Sequence, residues 1–381
     1  TYTALGTNIS NNAENRRIRN RGRWVYDGTT INSGRPSVYV AEADVNVTKG
    51  VIFSDNPTAN ATISPGATPP DGNITQSRAQ DSVTFVITIE NTGSGSALDV
   101  EVTDPDIAGL NGHRIITVVE QIGGAVAYTG DPFAGTMVLQ DSIPPIGEVV
   151  ITYRCAIDPD VDLGEILTNT ATASWDPPAG STVRSSDTDD ATVEIVPPVS
   201  NKTISSIAPN YSGNLTEVHV GEIISYTATI EVAQGELFNA QIIDSLDRGL
   251  AFIDIDTVYA DAGISTSVVG GFPVLNQAPQ VSFANDGTGD VNVDRVATIS
   301  LGNVVNNDVD NSTVETITVE YRAIVLNSFN NTRGQALNNS VGIVWDNPNG
   351  PGTLEVETSL PVTILEADII VTKPFSPDTI D

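Results

Sequence analysis

The chain is almost without lysine: Lys49, Lys202 and Lys373 are the only three in 381 residues. It also has a single cysteine, a single methionine and two histidines. One cysteine excludes an intrachain disulfide framework. Cys155 stands in the alternating run VVITYRCAI, where it reads as a small core residue. Basic residues are scarce as well, 17 against 48 acidic, for a formal net charge of −31. That balance works against nucleic acid and anionic lipid, both of which need a cationic surface. It suits solubility in salty surroundings or the company of divalent cations. No signal peptide, transmembrane run or lipid anchor is legible, so no membrane insertion is expected of this segment. His113 and His219 lie far apart without metal-ligand spacing, and no nucleophile elbow, phosphate loop or Cys/His cluster occurs. An enzyme acting on an external substrate is therefore not expected.

What the chain has in quantity is Val, Ile and Thr, punctuated at short intervals by Gly, Pro, Asn and Asp, with no long amphipathic helical period. That vocabulary predicts an all-β protein. Three segments align: TNTATASWDPPAGSTV from Thr168, NNSVGIVWDNPNGPGTL from Asn338, and RNRGRWVYDGTTINSG from Arg19. Asn169, Asn339 and Asn20 each precede an aromatic by six residues, and an aspartate follows each aromatic. Upstream, Tyr153, Tyr321 and Tyr2 fall in register. The lysine strands ADVNVTKGV, PVSNKTI and ADIIVTKPF follow these segments, and the apolar strands DVEVTD and NAQIID end at Asp104 and Asp244. One repeat therefore spans 44–197 and another 198–366. Residues 1–43 match the C-terminal part of a repeat, and 367–381 match a first strand, either of a next repeat or donated to a neighbour. Residues 53–78 and 255–295 are rich in Gly, Pro, Asn and Asp and read as surface loops inserted into tandem immunoglobulin-like sandwiches.

Strand parity places Lys49 with Val45, Val47 and Val51, Asn169 with Ala171, Ala173 and Trp175, and Asp104 with Val100 and Val102. The second repeat does the same with Lys202, Asn339 and Asp244, although PPVSNKTISS alternates less cleanly. All three polar types should face an apolar interior. There desolvation yields a neutral amine and a protonated aspartate, the two states needed for the amine to attack a carboxamide. Folding supplies the proximity, ammonia leaves, and an amide joins the first strand to a late one. The expected bonds are Lys49–Asn169 and Lys202–Asn339, with Asp104 and Asp244 as proton carriers and no cofactor required. The alternative is a lysine stem on the sheet with its head in water. Lys373 and Asn20 bring the same pair to a junction between chains or repeats.

The succession VTK, ITIENTGSGSALDVEVTD and LTNTATASW resembles the conserved repeat domain of unknown function in bacterial and archaeal surface proteins. It is also similar to the fimbrial isopeptide-forming domains of Gram-positive pilins and adhesins. The resemblance implies a first-strand Lys bonded to a late-strand Asn beside an acid, falling on Lys49, Asp104 and Asn169, and on Lys202, Asp244 and Asn339. It implies a structural subunit of an extracellular filament, pilus or sheath at the cell surface, polymerised through its termini by β-strand addition. The alternative is an adhesin stalk or surface-layer protein whose binding domain lies elsewhere. A last candidate is AIDPDVDLGE, where Asp158, Asp160, Asp162 and Glu165 offer oxygens of the kind calcium takes from a short loop.

Overall fold

The computed structural model describes residues 16–19, 21–35, 37–64, 66, 68–120, 124–176, 184–285, 293–309, 313–328 and 331–366. The chain divides into two compact units, Thr1–Val196 and Pro197–Asp381.

The first unit begins with β1 (Arg17–Arg19), β2 (Arg23–Tyr26), β3 (Thr29–Asn32) and β4 (Ser37–Tyr39). β2 pairs with β3 in a hairpin and β1 pairs with β4, as two separate two-stranded sheets. The hairpin turns at Asp27 and Gly28, which have φ of 46° and 73°. Asp-Gly accepts positive φ at both centres of a two-residue turn.

The strands that follow are β5 (Val45–Ser54), β6 (Ile74–Ser77), β7 (Ser82–Asn91), β8 (Leu98–Thr103), β9 (Leu110–Glu120), β10 (Tyr128–Gly130), β11 (Met137–Leu139), β12 (Glu148–Ile157), β13 (Ile166–Asp176) and β14 (Ser185–Ile195). They make two sheets, β5-β7-β12-β9 and β10-β11-β8-β13-β14-β6. Lettered in chain order, with β5 as A, β7 as B, β8 as C, β9 as D, β12 as E, β13 as F and β14 as G, the sheets run A-B-E-D and C-F-G. That is the strand order of an immunoglobulin constant-type sandwich. β11 and β10 extend the second sheet beyond β8, and β6 adds a short parallel strand beside β14.

The second unit repeats this plan. Its strands are β15 (Val199–Ala208), β16 (Glu217–Val218), β17 (Ile223–Val232), β18 (Gly235–Leu246), β19 (Leu250–Ala260), β20 (Ile264–Thr266), β21 (Val281–Ala284), β22 (Val296–Asn306), β23 (Glu315–Val325), β24 (Ala336–Asp346) and β25 (Thr353–Ile364). One sheet is β15-β17-β23-β19, again A-B-E-D. In the other, β18, β24 and β25 hold places C, F and G, with β16 parallel to β25 and β22 outside β18.

The core follows the alternation in the sequence. In β13, Leu167, Asn169, Ala171, Ala173 and Trp175 are buried while the residues between them face outward. In β17, Ile224, Tyr226, Ala228, Ile230 and Val232 do the same. Two segments read as surface loops are more ordered than that. In 53–78, Asn56 caps the one-turn helix α1 (Pro57–Asn60), accepting from the N–H of Thr58 and Ala59, and β6 buries Ile74 completely. In 255–295, β19 continues to Ala260 and β21 pairs with β22. β19 shifts register between Phe252 and Asp254 and again between Ile255 and Thr257. Each bulge resets which face a residue points to, so the strand loses the period-two signal by which strands are read.

Candidate functional site

β15 and β18 lie in opposite sheets of the second unit, and their polar residues meet in its core. Lys202 and Asp244 are 5% and 4% exposed, and Asn339 is fully buried. The Lys202 ammonium donates to Asp244 Oδ2 at 2.6 Å and also to the carboxamide oxygen of Asn339. One nitrogen thus touches both the acid and the group it would attack. The register that delivers them is short: Asp244 pairs with Val341 and Leu246 with Asn339 on neighbouring strands β18 and β24.

The first unit uses the same addresses. Lys49 Nζ donates to Asp104 Oδ1 at 2.5 Å, and neither side chain has any exposed surface. Val102 pairs with Ala173 and Thr103 with Thr172, which carries Asp104 alongside β13 two residues from the level of Asn169. Asn169 is buried in turn, and its Nδ2 donates to the Tyr153 hydroxyl at 2.8 Å. Asp104 Oδ2 and Asn169 Oδ1 are buried without a hydrogen-bond partner. Buried acceptors left idle are costly, at about 1–3 kcal/mol each, and in this unit the Lys49 amine bonds the acid but not the Asn169 carboxamide.

An aromatic stack forms the wall in both units. Phe85 and Tyr153 are paired across β7 and β12 with ring centroids 5.2 Å apart, and Tyr226 and Tyr321 repeat the stack at 5.3 Å. Lys49 Nζ lies 5.4 Å from the Phe85 ring centroid and Lys202 Nζ 5.2 Å from both tyrosine rings. The rings exclude water while their faces favour the cation.

Burial sets the protonation. It draws Lys49 below its ordinary range, with the Asp104 charge and hydrogen bond pulling back. It draws Lys202 down to about 8 against the same opposition from Asp244. Burial raises Asp244, while Lys202 and the Tyr321 hydrogen bond restrain the rise. Amine and carboxyl thus move toward exchanging a proton, the direction nucleophilic attack requires. Cys155 is 2% exposed and burial pushes its thiol up to about 12, so it is an unreactive core thiol.

Sequence reading gave these two clusters but not their support. It placed Tyr153 and Tyr321 in register without assigning them a role; each accepts a hydrogen bond from an Asn Nδ2, and Tyr321 also donates to Asp244 Oδ2 at 2.5 Å. It also passed over Asp187 and Asp189 on β14. Their carboxylates accept the backbone N–H of Val47 at 2.8 Å and of Lys49 at 2.7 Å. β5 is an edge strand, and these acids occupy donors that its sheet leaves open. The signal was the alternation SSDTDDATV, whose first half reads as solvated charge.

Lys373 and Asn20 lie outside the described residues, as does the segment 367–381. In the acidic loop, Asp158 accepts from Asn111 Nδ2, and Glu165 accepts from the Asp162 N–H at 3.3 Å. Among the described residues no group of three or more His, Cys, Asp or Glu side chains is placed to hold a metal ion. Among the described residues no helix is long and apolar enough to cross a membrane.

No family model matches the chain, and no curated protein does. Among solved structures, the C-terminal domain of the Streptococcus agalactiae AgI/II polypeptide BspA is similar at 10% identity and a TM-score of 0.33, over 83% of this chain and 99% of that one. The full-length major pilin SpaD from Corynebacterium diphtheriae is similar at 12% identity and 0.28, over 70% and 61%. The major pilin subunit BcpA of Bacillus cereus is similar at 11% and 0.30, over 70% and 69%. The immunoglobulin-like assignment rests on the strand order above.

Proposed function

We propose that each unit is a self-crosslinking structural module of an extracellular surface protein, in which a first-strand lysine and a sixth-strand asparagine form an intrachain amide. The observation that carries this reading is Lys202, whose buried amine bonds both the Asp244 carboxylate and the Asn339 carboxamide. A purely structural ion pair would not need a carboxamide at the same nitrogen. The buried Lys49–Asp104 pair and the burial of Asn169 in the first unit support it. The bond would run between the two sheets, from A to F, and so tie the sandwich across its core. A tie of this kind suits a protein under tension without disulfides, which supports reading the chain as part of a fibre, pilus, sheath or stalk.

The test is the mass of the denatured, intact chain. The expected result is the sequence mass less two ammonia molecules, with peptide mapping locating the links at Lys49–Asn169 and Lys202–Asn339. A chain at its full sequence mass would overturn the reading.

End-to-end assembly by strand addition is the further part of the proposal. Strands β1 to β4 support it, presenting Trp24, Tyr26, Ile31 and Val38 each more than half exposed. Open edges carrying large apolar side chains invite a further strand. The donor in this reading is 367–381.

A further inference from the structure

We propose that the tyrosine hydroxyl at place E of each sandwich, Tyr321 in the second unit and Tyr153 in the first, is a third catalytic group that carries the proton to the departing ammonia. This rests on the crosslinking reading and deepens it.

The geometry is complete in the second unit. Tyr321 Oη lies 2.5 Å from Asp244 Oδ2 and 2.8 Å from Asn339 Nδ2. Lys202 Nζ is 2.6 Å from that same carboxylate oxygen. The four atoms form a line from nucleophile to leaving group: amine, carboxyl, phenol, carboxamide nitrogen. Asp244 Oδ1 has no hydrogen-bond partner and Oδ2 bonds Lys202 and Tyr321, so the phenol stands between the acid and Asn339 Nδ2. An amide nitrogen must gain a proton to leave as ammonia, and the phenol is the group in contact with it. In the first unit the Tyr153 hydroxyl meets Asn169 Nδ2 at the same 2.8 Å.

The step balances as follows. Lys202 and Asp244 begin as amine and carboxylic acid. The amine lone pair attacks Cγ of Asn339, and the carbonyl π pair moves to Oδ1. Asp244 passes its proton to Tyr321 Oη as Tyr321 passes its own to Nδ2, so the phenol is unchanged. The Cγ–Nδ2 bond breaks, the carbonyl re-forms and ammonia leaves. The attacking nitrogen returns one proton to Asp244, which ends as it began. Burial holds the Tyr321 and Tyr153 hydroxyls well above the ordinary phenol range, so each stays protonated and can act only by exchanging one proton for another.

The two stacks differ at one place. Phe85 occupies in the first unit the place that Tyr226 holds in the second, so the hydroxyl at that place is dispensable to the packing. The ring opposite carries a hydroxyl in both units.

The experiment compares full-length chains released from a cell-free translation pulse, denatured at intervals, weighed intact and mapped to locate each bond. Tyr321→Phe should slow the Lys202–Asn339 bond by about 100-fold or more, within the range of general acid–base catalysis, and leave Lys49–Asn169 at its normal rate. Tyr211→Phe, at an exposed tyrosine of the same unit that touches none of these groups, should leave both rates within about threefold, far below that range. Near-ultraviolet circular dichroism reports whether the second sandwich has folded. If Tyr321→Phe folds and crosslinks at the unsubstituted rate, the tyrosine only packs and this proposal fails while the crosslinking reading stands. If the unsubstituted chain forms no bond, both fail. Should Tyr321→Phe not fold, the unsubstituted chain is chased in mixtures of light and heavy water. A curved dependence of rate on deuterium fraction supports two protons in flight, and a straight one overturns the relay.

Discussion

The carboxylate of Asp189 accepts the backbone N–H of Lys49 at 2.7 Å, from a strand in the opposite sheet. The lysine is therefore held by its main chain from one sheet while its amine reaches an acid in the core. The position of the nucleophile depends on a residue that takes no part in the chemistry. Asp189→Ala should destabilise the first unit by about 1.5–3 kcal/mol, the scale of a hydrogen bond to a charged group. Asp189→Asn, which keeps an acceptor, should cost less. Denaturant midpoints of the two variants check this, and equal midpoints would show that the contact does not position β5.

Lys49→Met should prevent the proposed first bond and leave the Asp104 carboxyl buried without the nitrogen it bonds. A buried polar group left unpartnered costs about 1–3 kcal/mol. Loss of a tie across a loop of about 100 residues adds about 4–5 kcal/mol by the chain-entropy model. Lys49→Met combined with Asp104→Leu should recover most of the first cost and none of the second, since two apolar side chains replace the pair. Chemical denaturation of the single and double variants separates the two contributions.

If the crosslinking proposal holds, the acids should be needed for the bond rather than for the fold. Asp104→Asn and Asp244→Asn should each leave one unit uncrosslinked, and the denatured mass should rise by one ammonia relative to the parent, apart from the substitution itself. The bond in the other unit should persist. Full crosslinking in Asp244→Asn would show that another group moves the proton.

The Lys202–Asn339 bond should have a bounded pH range. Burial lowers Lys202 from 10.5 to about 8 and raises Asp244. The reactive state holds one proton between the two. Below the raised Asp244 value both groups hold protons and the amine is an ammonium. Above about 8 both have lost them and no acid remains. The rate should therefore rise with pH through the Asp244 ionisation, level off, and fall about tenfold per unit above the Lys202 value, a bell-shaped profile. Timed mass measurements from acid to alkaline pH test this, and a rate still climbing at pH 10 would show that the acid is not required.

Removal of 367–381 should leave both sandwiches folded and abolish end-to-end polymers. Electron microscopy of the native and shortened chains is the measurement. Native-looking filaments from the shortened chain would move the connection to lateral contacts.

The sequence by itself determined the all-β class, the repeat, and the three polar types at each core address. Period-two alternation fixes which face a strand residue takes, and Lys49, Asp104 and Asn169 each sat in phase with buried Val, Ala or Trp. Even Lys202, on a strand with poor alternation, is buried like its counterpart. Only the tertiary structure decided what parity cannot express. Parity says that a side chain points inward but not which inward residues touch. That depends on register between strands and on the facing of two sheets, as in Lys202 meeting both Asp244 and Asn339. It likewise set the phenol of Tyr321 between an acid and a carboxamide, and turned Asp187 and Asp189 into partners for the edge of β5. Each of these contacts joins residues distant in the chain, so no local pattern along it could have carried the information.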